Sequence, residues 1–166
     1  FYIFHVFMKT YLSKLDKLVD KRTTELRNMN EKLLADQEVA RSMQLSMLPE
    51  ALPVNDSVAF SSGYAPAENL SGDFYNVFKI DGQRFGICIG DVSGHGVPAA
   101  MLSIFTFQKL QSLMEEAGGE GMAIPSQVLR HLYDSLNSAN FSEDMYIVML
   151  YGVYNTMTGI FSYASG

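Results

Sequence analysis

Two aspartates in this sequence flank a stretch whose pattern predicts a β-hairpin. Asp73 precedes a run rich in apolar and aromatic residues, and Asp91 ends the next apolar run. The dipeptide Asp81-Gly82 lies between the two runs and is a strong signal for a tight hairpin turn. Because a hairpin pairs its strands in antiparallel fashion, it carries both carboxylates to the same open end. Clustered acids without a basic neighbour indicate a hard cation with oxygen ligands.

The segment after Asp91 is also suited to a bound group. An unpaired buried carboxylate is costly, so an aspartate at the end of an apolar strand requires a metal, a cation or water. Gly90, Gly94 and Gly96 allow the backbone to approach a ligand closely, and Pro98 then opens a helical pattern. Taken alone, the segment fits a surface loop with an ordinary turn aspartate equally well.

Composition and charge exclude several classes of protein. With 166 residues, 48% hydrophobic and 12% aromatic, the chain is long enough for one domain and an accessory segment. The formal net charge is −6, and most acidic residues follow residue 30. An acidic body argues against nucleic acid as a partner, which requires a basic face. The single cysteine, Cys88, excludes a disulfide framework, favours a reducing compartment and indicates a core residue.

Residues 1–8 are almost wholly apolar and aromatic, and a basic stretch follows them. The run is too short to cross a bilayer, but the pattern is typical of the cytoplasmic exit of a membrane helix. We therefore expect residues 1–8 to be the end of a membrane helix, with a membrane or sensor region upstream. The remainder would then be cytoplasmic, on the inner face of the membrane. An exposed hydrophobic helix end that packs on a partner protein explains the pattern equally well.

Residues 9–48 form the second expected segment, a coiled-coil helix for signalling and dimerisation. The stretch 1–48 contains neither proline nor glycine, and Pro49 and Pro53 end it. One set of heptad positions reads His5, Leu12, Val19, Leu26, Leu33, Ala40 and Met47. Arg22 and Asp36 interrupt the companion set, which weakens the seam or sets its register. The pattern predicts a parallel homodimer, the alternative being a helix that packs on its own domain.

Residues 49–166 are expected to form a separate, mixed domain. Apolar periodicity predicts strands over 58–64, 74–80, 84–90, 145–154 and 160–164, and helices over 98–116 and 125–140. A flexible connection is expected at 117–121. In the first of these helices we expect a buried face that includes Met101, Phe105 and Gln108.

Four ordered segments of the sequence match a known family. They are residues 40–49 (ARSMQLSMLP), 64–67 (YAPA), 71–75 (SGDFY) and 90–96 (GDVSGHG). Together they closely resemble the SpoIIE-like (sporulation stage II E) branch of the PPM-type metal-dependent protein phosphatases. The resemblance covers the chain from about residue 38 to the end, so residues 49–166 correspond to the N-terminal part of the phosphatase domain. Residues 18–26 resemble the coiled linker that joins bacterial sensor domains to such outputs.

The resemblance implies a fold, a reaction and a set of ligands. The fold is an α/β (α+β) sandwich of two antiparallel sheets flanked by helices, here partial. The activity is hydrolysis of phosphoserine or phosphothreonine on a phosphorylated regulatory protein, such as an anti-sigma-factor antagonist, with two Mn²⁺ or Mg²⁺ ions. Asp73 and Asp91 match the family's metal-binding catalytic aspartates, and the main-chain carbonyl of Val92 matches a backbone ligand.

The sequence departs from the family in three places. Asn76 stands where many relatives have a second acid, and His95 lies too far from Asp91 to match the histidine proposed as general acid in the eukaryotic branch. We expect His95 to structure its loop. The later strands with the remaining metal aspartates are absent, so we expect this piece alone to be inactive. Two other readings stay open, a non-catalytic module for coiled-coil dimerisation and partner binding, and a divalent-ion site in a structural dimer.

Overall fold

A computed structural model describes residues 1–66, 69–116, 121–139, 141 and 144–166 of the chain. The helices are α1 (Tyr2–Leu45), α2 (Gly96–Glu116) and α3 (Pro125–Ser138). The strands are β1 (Phe74–Lys79), β2 (Arg84–Val92), β3 (Ile147–Asn155) and β4 (Ile160–Ser165). The chain divides into two compact units, residues 1–39 and residues 40–166.

The first unit is the N-terminal part of α1. The helix is uninterrupted because the sequence offers neither proline nor glycine, and Glu25 accepts from Arg22 at 3.0 Å within one turn. Apolar heptad residues are exposed, with Val19 at 54% and Leu26 at 66%. In the part of the chain that the structure describes, no helix is long and apolar enough to cross a membrane. The coiled coil stays a prediction.

The second unit is organised on a four-stranded antiparallel sheet of order β1-β2-β3-β4. The predicted hairpin is confirmed, with Phe74 paired to Gly90, and β2 runs two residues further than expected. In its turn, the Asp81 carboxylate accepts from the backbone N–H groups of Gln83 and Arg84 at 2.8 and 2.7 Å. The Gln83 N–H, followed by the Arg84 side chain, holds the pKa of Asp81 below its usual value.

The core lies between one face of the sheet and the helices α2 and α3. Strand residues at alternate positions supply the sheet side of this core, as the period of a half-buried strand requires. The apolar strand side chains of this core are Phe74, Phe78, Cys88, Val92, Met149, Tyr151 and Val153. The Tyr151 hydroxyl, fully buried, donates to the Met122 carbonyl at 2.8 Å, so its polar atom is satisfied.

The expected α/β class is confirmed, whereas one expected strand is wrong. Of the two sheets anticipated for the sandwich, the described residues contain one. The stretch predicted as a strand at 58–64 pairs its backbone at a single bridge, Asn55 with Val58. Residues 58–64 contact the sheet through a side chain instead, because the Phe60 ring packs on the Phe85 ring of β2 with centroids 5.3 Å apart.

Helix α2 is confirmed, but its buried face differs from the expected one. It begins at Gly96 rather than Pro98, and Met101 is 61% exposed. The polar residues Ser103 and Thr106 are buried in its place, each with its hydroxyl bonded at 2.8 Å to a carbonyl of the preceding turn. Helix α3 is also confirmed. Residues 117–120, Ala67 and Asn140, which the predicted elements and motifs include, lie outside the described residues.

Candidate metal centre

The hairpin of β1 and β2 sets the two candidate carboxylates opposite each other. Phe74 pairs with Gly90, and the same register extended by one residue places Asp73 opposite Asp91. Phe74 and Gly90 are buried on the helix side, while both aspartates are exposed. Both line a cavity of about 860 Å³ over the open face of the sheet, floored by Ile87 and Val148 among others. The structure thus brings together the acids whose proximity the turn signal predicted.

The electrostatics of this pair are those of two like charges held close. The pKa of Asp91 is raised, first because neighbouring atoms desolvate its carboxyl, then because the Asp73 carboxylate repels its charge and shares a hydrogen bond with it. A cation between the two groups would relieve that repulsion. Two carboxylates and a main-chain carbonyl are oxygen donors of the kind that Mg²⁺ and Mn²⁺ prefer, so the residues fit a hard divalent ion.

The pair is a small donor set. Within the described ranges, the structure assembles no group of three or more histidine, cysteine, aspartate and glutamate side chains. Asn76 is 9% exposed among the helix-facing residues of β1. It therefore does not share the open face that carries Asp91. Asp73 and Asp91 thus form a pair of carboxylates on the open face, without a third such ligand among the described residues.

The Val92 carbonyl is held by close main-chain packing. A Cβ placed on Gly72 would lie 2.5 Å from the Val92 oxygen, so glycine is required for this approach. On the other side, the Ser93 N–H donates to the Tyr146 carbonyl at 2.8 Å, and the Tyr146 N–H donates to the Ser93 hydroxyl at 2.9 Å. The carbonyl is thus fixed between the loop before β1 and the start of β3.

The last turn of α1 reaches the loop that carries Asp73. Gln44, 5% exposed, donates from its amide nitrogen to the Ser71 carbonyl and to the Ser103 hydroxyl, the latter at 3.0 Å. Its amide oxygen accepts from the Ser71 N–H at 3.3 Å. The local sequence pattern indicates no functional role for Gln44 or Ser71. The one local signal for a buried role of Gln44 is that this neutral amide lies beside the apolar residues Met43 and Leu45 in the 40–49 motif.

The loop after Asp91 uses its glycines for two purposes. Gly94 and Gly96 adopt positive φ angles of 89° and 75°, which L-residues with side chains rarely adopt. Gly90 is required for packing, since a Cβ there would collide with the Phe74 ring on the buried face, and the expectation that its backbone admits a ligand stays a prediction. His95 lies in this loop and is exposed.

The side chain of Cys88 belongs to the core between the sheet and the helices. It is 1% exposed, and burial raises the pKa of its thiol to about 12. A thiol that stays protonated at neutral pH is a poor nucleophile and a poor metal ligand. The expectation that Cys88 is a core residue is therefore confirmed.

Comparison with known proteins identifies relatives of this chain. The sequence model of the family described as stage II sporulation protein E (SpoIIE) matches residues 81–166. Over 140 residues the chain is 31% identical to the phosphoserine phosphatase RsbU of Bacillus subtilis, and over 101 residues it is 37% identical to the phosphoserine phosphatase RsbP of that organism. These alignments span 84% and 61% of the chain but 40% and 24% of the relatives. The chain thus spans less than half the length of these curated relatives.

A solved structure supports the fold. The SiaA-PP2C domain of Pseudomonas aeruginosa superposes with a TM-score of 0.67, covering 82% of this chain and 55% of that one. The two sequences are 16% identical, so this similarity concerns the fold alone. The three helices and the four-stranded antiparallel sheet thus agree with a PP2C-like α/β fold. The family expected from the ordered motifs is confirmed by the sequence matches.

Proposed function

Since the chain belongs to the stage II sporulation protein E (SpoIIE) family, we propose that it is part of a metal-dependent protein phosphatase. The reaction is hydrolysis of phosphoserine or phosphothreonine on a phosphorylated regulatory protein. The observation that carries the proposal is the placement of Asp73 opposite Asp91, on the exposed face of a sheet beside an open cavity. The names of the related phosphoserine phosphatases support the reaction class.

The chain's own residues would bind and orient the ions. The Asp73 and Asp91 carboxylates and the Val92 carbonyl would hold Mn²⁺ or Mg²⁺, with further ligands required for two ions. Such ions, when bound, supply an activated water at neutral pH and offset the negative charge on the phosphoryl group. Asp91 pairs with Val148 of β3, and the preceding residue, Gly90, pairs with Phe74 of β1, which gives the rigidity that a metal ligand needs.

The partner-binding part of the proposal rests on α1. We propose that residues 9–48 join two copies of the chain, because the exposed apolar heptad positions would otherwise remain in water. Gln44 links the last turn of this helix directly to the Ser71 peptide. The helix therefore has a physical connection to the loop that carries Asp73.

The function is tested by phosphatase assays on the full gene product with Mn²⁺. We expect hydrolysis of an aryl phosphate and of a phosphoserine peptide, lost on chelation by EDTA and restored by added Mn²⁺. Loss of a residue that hydrogen-bonds a metal ligand typically lowers activity roughly 10–100-fold. Asp91→Asn alters a ligand itself and should therefore reduce turnover by more than this. Asp81→Asn is the matched control, since it makes the same change at the other end of the same hairpin. It should retain activity at 25 °C.

Two outcomes would refute the proposal. The first is wild-type protein that neither binds Mn²⁺ nor hydrolyses either substrate. The second is full activity in Asp91→Asn, which would show that the carboxylate pair does not serve the reaction.

A further inference from the structure

We propose that Ser71 is a positioning residue, whose hydroxyl fixes the orientation of the Asp73 carboxylate toward the cation. The inference rests on the proposed function, because it concerns a ligand of the same centre. It adds a residue that does not itself contact the ion.

The hydroxyl of Ser71 joins both polar parts of Asp73. It donates to Asp73 Oδ2 at 3.2 Å and accepts from the Asp73 backbone N–H at 3.1 Å. The hydroxyl proton serves the carboxylate and a lone pair serves the N–H, so the two bonds do not compete. The side chain of Asp73 is thereby tied to its own main chain through Ser71. An exposed carboxylate without this tie would sample several rotamers.

The Ser71 backbone is fixed by contacts that do not involve the hydroxyl. The Gln44 amide holds both the N–H and the carbonyl of Ser71. The next residue, Gly72, packs directly against Val92. Removal of the hydroxyl therefore leaves the Gln44 and Gly72 contacts of the loop in place and releases the Asp73 carboxylate and its backbone N–H.

The size of the effect follows from the nature of the bond. Groups that hydrogen-bond a ligating carboxylate typically contribute 10–100-fold to metal affinity. Asp73 is exposed, so water can replace part of the lost bond. We therefore expect the lower end of this range, about tenfold.

Mn²⁺ binding to the full gene product tests the inference without reference to turnover. Free Mn²⁺ is measured by electron paramagnetic resonance during titration of the wild type, Ser71→Ala, Ser71→Thr and Ser138→Ala. Ser71→Ala should weaken binding about tenfold. Ser71→Thr, which keeps the hydroxyl, should restore binding to within about threefold of wild type. Ser138→Ala removes a hydroxyl that bonds to a helix carbonyl and should bind as wild type does.

A kinetic measurement separates positioning from a general loss of structure. In Ser71→Ala the Mn²⁺ concentration for half-maximal activity should rise, while kcat at saturating Mn²⁺ stays within about twofold of wild type. Urea unfolding without metal should show a cooperative transition in each variant.

The outcomes separate this inference from the proposed function. Wild-type Mn²⁺ affinity in Ser71→Ala, with affinity lost in Asp91→Asn, would overturn the role of Ser71 and leave the phosphatase proposal intact. Equal losses in Ser71→Ala and Ser71→Thr would also overturn it, because the hydroxyl would then not be responsible. Wild-type affinity in Asp91→Asn would instead refute the metal centre itself.

Discussion

Replacement of Gly72 by alanine should damage the metal centre more than it damages the fold. The added Cβ would lie 2.5 Å from the Val92 oxygen and 2.9 Å from the Val92 Cβ. A carbon and a carbonyl oxygen normally approach to about 3.3 Å. The two segments must therefore separate by roughly 0.8 Å.

This displacement is large on the scale of a metal site. Ligand geometry must be held to within about 0.5 Å for function, so the Val92 carbonyl and the Asp73 carboxylate would lose the arrangement that we propose for ion binding. Overpacking of this kind costs about 1–3 kcal/mol of unfolding free energy, which a folded domain can survive. We expect the Mn²⁺ affinity to fall by at least about tenfold.

Gly86→Ala, within β2, provides a control with the same chemical change. A Cβ on Gly86 would collide with the Phe78 ring, far from the carboxylate pair. Both variants of the full gene product should lose stability in metal-free urea unfolding. The prediction is that Mn²⁺ titration by electron paramagnetic resonance shows weakened binding in Gly72→Ala alone.

The reasoning fails if Gly72→Ala binds Mn²⁺ as tightly as the wild type does. It also fails if the two variants lose affinity equally, since the effect would then reflect stability and not the position of Val92.

Two further predictions concern the turn and the long helix. The pKa of Asp81 is lowered in the folded state, first by the hydrogen bond from the Gln83 N–H. The ionised carboxylate therefore stabilises the fold at pH values above its unfolded pKa of about 4. This contribution to stability is lost as the pH falls through the lower, folded-state pKa. The melting temperature of Asp81→Asn should thus lie below that of the wild type at pH 7 and approach it near pH 2, and a pH-independent difference would contradict this. Leu26→Asp should raise the dissociation constant of the dimer more than tenfold in sedimentation experiments, because it places a charge in the proposed helix–helix seam. Arg27→Asp, which lies outside that seam, should leave the dissociation constant unchanged. A wild type that sediments as a monomer at micromolar concentrations would refute the dimer.

The sequence predicted the hairpin well because its signals are local. Asp81-Gly82 specifies the turn, and a hairpin turn determines which residues pair, so the meeting of Asp73 and Asp91 follows without tertiary information. The same reasoning failed at 58–64, where Phe60 was expected to pair in a strand. Aromatic packing against β2 overrides strand propensity there, and periodicity cannot foresee such packing.

Contacts distant in sequence were beyond prediction. Gln44 meets Ser71 across 27 positions, and nothing in the local pattern of α1 indicates that partner. The buried face of α2 was placed wrongly for a related reason. Ser103 and Thr106 satisfy their hydroxyls within the helix and can face the core, while Met101 is left in solvent. Hydrophobicity alone ranks these residues in the opposite order.

The pairing pattern of the sheet also bears on the order in which it assembles. The β1–β2 hairpin closes through a turn of a few residues, whereas pairing Val92 with Ile147 closes a loop that contains all of residues 93–146. Loop-closure entropy makes the second step costlier by about 2 kcal/mol. We therefore expect the hairpin, with Asp73 opposite Asp91, to form during synthesis before α2 and α3 can pack. Strand pairing would thus assemble the two carboxylates of the proposed metal site before the rest of the domain packs.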